Sequence, residues 1–227
     1  MKLADFDALI FDMDGVITDS ETLHMLAEIA ACREICGFDP PPEDWKEFNG
    51  RSAEDNFRII YGRYGGGQEP DMPALMAAKV HEYKRIVEQG LPTVPGAIDF
   101  LKRVRPLIGK MALCTSSDSA IQQDIFRRLV LAPYFDVVVT ADQVRHAKPH
   151  PEPYGCAVEK LGFLANRCLV IEDSDNGIRS AKAAGCVVAG ITTTFPADVL
   201  KSCGADVIFN TYEDLSRLLG LPASDSL

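Results

Sequence analysis

No stretch of this sequence stays apolar for the roughly 18 residues that a membrane span requires, so a spanning helix is not expected. A secretory signal is missing as well. The opening MKLADFDALIF carries acids where such a signal needs a basic start, and it runs straight into a short strand, which points to a cytoplasmic protein. Basic charge is scarce: 23 Lys and Arg stand against 33 Asp and Glu, a formal net charge of -10. The acids are dispersed and form no tail. That balance argues against nucleic acid or an anionic membrane as partner, and an anionic ligand would need a locally built positive site. No internal repeat, heptad run or low-complexity segment is present, which excludes solenoids and coiled coils. The seven cysteines are odd in number and scattered through apolar contexts, so they form no disulfide framework and read as reduced thiols. Cys32 and Cys36 have i, i+4 spacing, but no second pair completes a metal site, and helix packing accounts for them.

What is present is apolar material, 47% of 227 residues, enough for a core of one domain or one and a half. Short β-branched runs alternate with helical patterns in the C-terminal half. Strands are expected at 110–117, 135–141, 168–174, 187–193 and 205–210, after a first one at 7–12. Helices are expected at 96–106, 118–130, 151–161, 175–184, 196–203 and 212–219. Strands apolar throughout suit a sheet covered on both faces, and strand-helix alternation suits right-handed parallel crossovers. The expected class is α/β, a doubly wound parallel sheet with an inserted helical cap. Residues 20–90 hold no convincing strand and read as helices at 20–36, 52–64 and 71–89. The expected division is a core of 1–16 and 94–227 with a cap of 17–93. GLPTVPG (90–96) forms the returning side of a hinge.

In doubly wound sheets ligands bind beyond the carboxyl ends of the strands, near a topological switch. Those ends here are Asp12 and Asp14, Thr115 and Ser116, Lys148 shortly after the third strand, and Glu172 with Asp173. Carboxylates so gathered repel one another unless a cation sits among them, and hard oxygen donors suit Mg²⁺. The lysine, the hydroxyls and the backbone N–H groups beyond the strands suit a phosphate. Metal and phosphate together suggest phosphoryl transfer to or from a small phosphorylated metabolite.

The runs DMDGVITDS, LCTSS, KPHPEPY and IEDSDNGI resemble, in order and spacing, the four motifs of the haloacid dehalogenase superfamily. The position of the insertion resembles its branch of sugar-phosphate phosphatases and β-phosphoglucomutase-like enzymes. The resemblance covers essentially the whole chain. It implies Asp12 as a nucleophile forming an aspartyl phosphate, and Asp14 as general acid and base whose backbone carbonyl also meets the metal. It further implies Asp173 as a direct metal ligand, Glu172 as a second or water-bridged one, and Thr115 and Lys148 as holders of the phosphoryl oxygens. Ser116 joins them at the substrate. Relatives that dehalogenate lack the second aspartate, so Asp14 favours phosphate esters.

In the cap, His24 lies near the hinge, and NGRSAED (49–55) resembles the loop that reaches over the site, where Arg51 would meet a second anion or a sugar hydroxyl. The bland readings stand beside these. Asp19, Ser20, Asp175 and Asn176 read as caps or loop supports, and Ser116, Ser117 and Asp118 compete with Thr115 to cap the helix that follows. His146 and His150 read as solvated surface, GGG (65–67) as a flexible loop, and Trp45 as a packing anchor of the cap. The expected function is a Mg²⁺-dependent phosphatase of a sugar or polyol phosphate. A β-phosphoglucomutase-type mutase and a non-catalytic phosphometabolite-binding regulator remain as alternatives. A capped enzyme of this size can work as a monomer, with a dimer left open.

Overall fold

The computed structural model describes residues 1–41, 44, 51–66 and 69–222; Trp45, Asn49 and Gly50 lie outside them. Six strands, β1 (Ala8–Phe11), β2 (Lys110–Cys114), β3 (Val137–Val139), β4 (Cys168–Glu172), β5 (Val187–Ile191) and β6 (Val207–Phe209), form one sheet in the order β3-β2-β1-β4-β5-β6. Every pairing is parallel. The chain builds outward from β1 through β2 to β3 and then crosses to β4 on the other side of β1. The order therefore reverses between β1 and β4, and a crevice opens at their carboxyl ends.

Successive strand residues point to opposite faces, and both faces are covered. Leu9, Phe11, Met111, Leu113, Leu169 and Ile171 pack under α4 (Ala97–Val104), α5 (Ser119–Leu129) and α9 (Tyr212–Leu219). Ala8, Ile10, Ala112, Cys114, Cys168 and Val170 pack under α6 (Glu152–Leu161), α7 (Asp175–Ala183) and α8 (Ala197–Ser202). Burial on both sides is why these strands, apart from Lys110 and Glu172 at their ends, are apolar on both faces instead of alternating.

The strands are shorter than the sequence windows, and the difference falls mainly at their carboxyl ends. The loops that follow β1, β2 and β4 carry Asp14, Ser116, Ser117, Asp173 and Ser174 to the crevice.

Between β1 and β2 the chain inserts α1 (Glu21–Cys36), α2 (Ala53–Tyr64) and α3 (Met72–Val87). Ser52 caps α2 by accepting from Asp55 N, and Asp71 caps α3 by accepting from Ala74 N. These helices close on a core of their own, with Ile29, Cys32, Phe57, Ile60, Leu75 and Ala78. Buried Cys32 belongs to it, in keeping with helix packing. At its root the insertion is not separate: Ala27, Tyr83 and Val87 join the core on one face of the sheet. The two connecting segments pair. Asp19 N donates to Pro92 O and Val94 N to Ile17 O, each at 3.0 Å, and Thr18 bridges Thr93 antiparallel. No helix among the described residues is long and apolar enough to cross a membrane.

Candidate active site

Asp12 directly follows β1, with its N–H donating to Ile171 O at 3.0 Å, so the carboxylate sits at the switch point. Gly15 lets the chain turn back at once. Its φ is +75°, and a Cβ there would lie 1.9 Å from Asp173 Oδ2, so only glycine admits the fourth strand's acid so close.

Lys148 reaches the same point from the loop after β3. Its Nζ donates to Asp12 Oδ1 at 2.8 Å, Glu172 Oε1 at 2.7 Å, Tyr154 Oη at 3.0 Å and Cys114 O at 3.2 Å. Burial works against this charge, but Asp12 and Glu172 outweigh it and hold the lysine protonated well above its ordinary range. Glu172 is fully committed. Its Oε1 also accepts from Tyr154 Oη at 2.9 Å, while Oε2 accepts from Asp173 N at 2.8 Å and from Ser174 N and Oγ at 2.9 Å. Burial pushes Glu172 up, yet Lys148 and Ser174 bring it below its ordinary value.

Asp14 is held apart from that group. Its Oδ1 accepts from Thr18 Oγ1 at 3.1 Å, from His24 Nε2 at 3.0 Å and from the Ser20 hydroxyl; its Oδ2 accepts from Ser117 Oγ at 3.0 Å. Burial would raise this carboxyl. The His24 charge and the three side-chain bonds from His24, Ser20 and Ser117 outweigh burial and keep it well below the usual carboxylate range. His24 in turn stacks on Tyr83, ring centroids 4.3 Å apart and 19° from parallel.

Asp12, Glu172 and Asp173 place one oxygen each within 4.8 Å of one another. Burial pushes Asp12 up to about 7 despite Lys148, with Glu172 and Asp14 adding to the rise. Burial, with the charges of Glu172, Asp12 and Glu21, likewise pushes Asp173 well above its ordinary value, against the bond from Thr194. The single lysine leaves this acid cluster under-neutralised. Hard oxygen donors short of positive charge are what a divalent cation such as Mg²⁺ takes, so the residues present fit that ion.

The sequence-predicted residues fall into two groups. Asp12, Asp14, Ser116, Lys148, Asp173, His24 and Arg51 line one cavity of about 60 Å³ between sheet and insertion. Thr115 and Glu172 do not line it; both are buried behind it. Thr115 Oγ1 accepts from Ser117 N at 3.0 Å, and the cap of α5 goes to Asp118, which accepts from Ala120 N and Ile121 N. Ser20, expected as a cap or loop support, makes no side-chain cap and bonds Asp14 and Thr18 of the loop. The sequence offered no signal for Ser117 on Asp14, for Tyr154 beneath Lys148, or for Glu21, Glu28, Asn56 and Lys79 on the cavity's far wall. A helix face reads as solvated until the element opposite it is known. His146 and His150 are exposed and stand outside the acid cluster.

A doubly wound sheet whose central strand runs into two acids, with a buried lysine against the first and a helical insertion over both, defines a capped α/β hydrolase. The chain belongs to the haloacid dehalogenase-like hydrolase family, whose model matches residues 9–191. It is 34% identical over 192 residues to a phosphorylated carbohydrates phosphatase of Thermotoga maritima, spanning 79% of this chain and 82% of that one. It is 33% identical over 184 residues to a fructose-1-phosphate phosphatase of Escherichia coli, spanning 79% of this chain and 93% of the other. A solved structure of a proposed β-phosphoglucomutase from Thermotoga maritima superposes with a TM-score of 0.74 at 29% identity, over 96% of this chain and 100% of that one.

Proposed function

We propose that this chain, a phosphoric monoester hydrolase of its family, is a Mg²⁺-dependent phosphatase of a sugar or polyol phosphate that works through an aspartyl phosphate on Asp12. The observation that carries the reading is the division of the two acids. Asp12 is locked to Lys148 at the switch point, and Asp14 is held ionised by a separate set of donors.

In the first step an Asp12 oxygen attacks phosphorus and the ester P–O bond breaks. Asp14, ionised in the resting site, takes up the proton that a monoanionic phosphate ester brings and hands it to the departing alcohol oxygen. In the second step water attacks the phosphoryl group on Asp12. Asp14, now ionised as in this structure, takes the water's proton; phosphate leaves and Asp12 is restored. Lys148 meets the phosphoryl oxygens as charge shifts onto them and Ser116 donates beside it, while Thr115, behind the cavity with its Oγ1 accepting from Ser117 N, holds the loop that carries Ser116. Asp12, Asp173 and the Asp14 carbonyl would hold Mg²⁺, which when bound offsets charge on the phosphoryl oxygens. Glu172, with both oxygens engaged, positions Lys148 and meets the ion at most through water.

The cap is assigned to residues 17–93 and the core to 1–16 and 94–227. A 60 Å³ cavity holds a few waters or a small anion. A sugar phosphate therefore enters when the cap swings about the paired segments at Thr18 and Thr93, with His24 and Arg51 meeting it on the cap side.

Phosphate release from a panel of phosphomonoesters, with and without Mg²⁺ and with Asp12→Asn as control, tests this. Metal-dependent release that is lost in the variant is expected. Isomer formation from β-glucose 1-phosphate in place of release would move the chain to the mutases, which the likeness to the proposed phosphoglucomutase keeps in view.

A further inference from the structure

The loop that follows β5 carries three threonines in a row, and the chemistry above uses none of them. Thr192 turns to the neighbouring strand end, where its Oγ1 donates to Asn210 Oδ1 at 2.7 Å. The next two reach back to the site. Thr193 Oγ1 donates to Gly15 O at 2.6 Å, and the Thr194 hydroxyl donates to Asp173 Oδ2. Thr194 Oγ1 would also lie 2.9 Å from a Cβ placed on Gly15, so it packs against that turn. Because β4 lies between β1 and β5 in the sheet, these two hydroxyls tie three adjacent strand ends together.

Asp173 differs from the other acids of the site in what holds it. Asp12 and Glu172 share Lys148, and Asp14 takes bonds from Thr18, Ser20, His24 and Ser117. The Asp173 carboxylate is 2% exposed, and among the described residues its side-chain hydrogen bond comes from Thr194 alone. A hydroxyl is a neutral donor. It orients the carboxylate and leaves the negative charge in place, whereas a lysine or arginine there would cancel the charge that a divalent cation needs. Carboxylates that ligate metals are themselves hydrogen-bonded, and loss of such a partner weakens metal binding by about 10- to 100-fold.

We infer that Thr194 is a positioning residue of the metal site: its hydroxyl holds the Asp173 carboxylate in the orientation that completes the acid cluster with Asp12 and Glu172. The loop after β5 thereby joins the four motif segments in building the site, although Thr194 lies beyond the residues 9–191 that the family model matches. Thr193, bonded to Gly15 O, anchors that loop without touching the acid. The inference rests on the Mg²⁺ reading and adds a residue to it.

The test is the Mg²⁺ affinity of the folded protein, read by calorimetry and from the rise in melting temperature across a Mg²⁺ titration. Thr194→Val keeps the shape and removes the donor, and should weaken Mg²⁺ binding by roughly tenfold or more. Thr194→Ser, which keeps the hydroxyl, and Thr192→Val, which loses a bond of the same loop away from Asp173, should each stay within about threefold of wild type. Phosphate release from p-nitrophenyl phosphate by Thr194→Val should need a correspondingly higher Mg²⁺ concentration for its half-maximal rate. Thr194→Ala replaces Thr194→Val if the latter melts below the titration temperature in EDTA. Wild-type affinity in Thr194→Val, or an equal loss in Thr194→Ser or Thr192→Val, overturns the inference while leaving the Mg²⁺ reading intact. A wild type that binds no Mg²⁺ overturns both.

Discussion

Lys148 is where stability and chemistry meet in one side chain. It is the only cation touching Asp12 and Glu172 among the described residues, and all three are buried. Lys148→Met leaves two buried acids without a counter-charge, a loss of about 3 to 5 kcal/mol. Urea denaturation in metal-free buffer should show it, together with loss of phosphate release. Asp12→Asn should keep the fold and lower turnover by roughly 10⁴-fold or more, as removal of a nucleophile does elsewhere; substantial residual activity would take Asp12 out of that role. Glu21, half-buried on the cavity wall, is pushed up to about 8, by burial first and then by the charges of Asp14, Asp12 and Glu28. Its folded pKa lies above the unfolded one near 4.5, so the folded state binds the extra proton between them. Stability is therefore greatest below about pH 4.5 as far as this group is concerned, and it declines until the pH passes about 8. Glu21→Gln should remove that slope, so that the melting-temperature gain over wild type grows from pH 5 to pH 8. An equal gain at both values would refute the assignment.

At the scale of elements, the loop after β1 decides whether the site assembles. Its glycine brings the first and fourth strand ends together, so Gly15→Ala tests the element and not the chemistry. The left-handed backbone alone costs about 1 to 3 kcal/mol, and the added carbon meets Asp173. A lowered melting temperature and loss of activity are expected together; a variant with wild-type turnover would show that the Gly15–Asp173 approach is dispensable. The insertion joins the core through a short paired link that shares buried residues with the sheet. The cap's motion is thus expected to be a swing about Thr18 and Thr93.

For the whole molecule, a net charge of -10 with acids packed around one lysine makes the folded chain a natural host for a divalent cation. Whatever binds the folded state alone stabilises it, by about 2.7 kcal/mol at 100 times Kd. Mg²⁺ should raise the melting temperature and EDTA should return it. The same titration on Asp173→Asn should give little shift, whereas an unchanged shift would place the ion elsewhere.

Most of the fold was legible because burial on both sheet faces writes itself into unbroken apolar strands, and polar residues mark where each strand stops. Asp12, Asp14, Lys148 and Asp173 were legible for the same reason: strand ends in such a sheet converge, whatever the helices between them do. Tertiary structure alone decided the partners. Glu172 proved to hold Lys148 with both oxygens occupied, and Ser20 and Ser117, candidates for caps or loop supports, both bond Asp14. Glu28, Asn56 and Lys79 became one wall because three helices separated in sequence fold onto one core. Strand position is a local property of the chain, whereas which polar faces look at one another depends on how independent helices pack across a hinge.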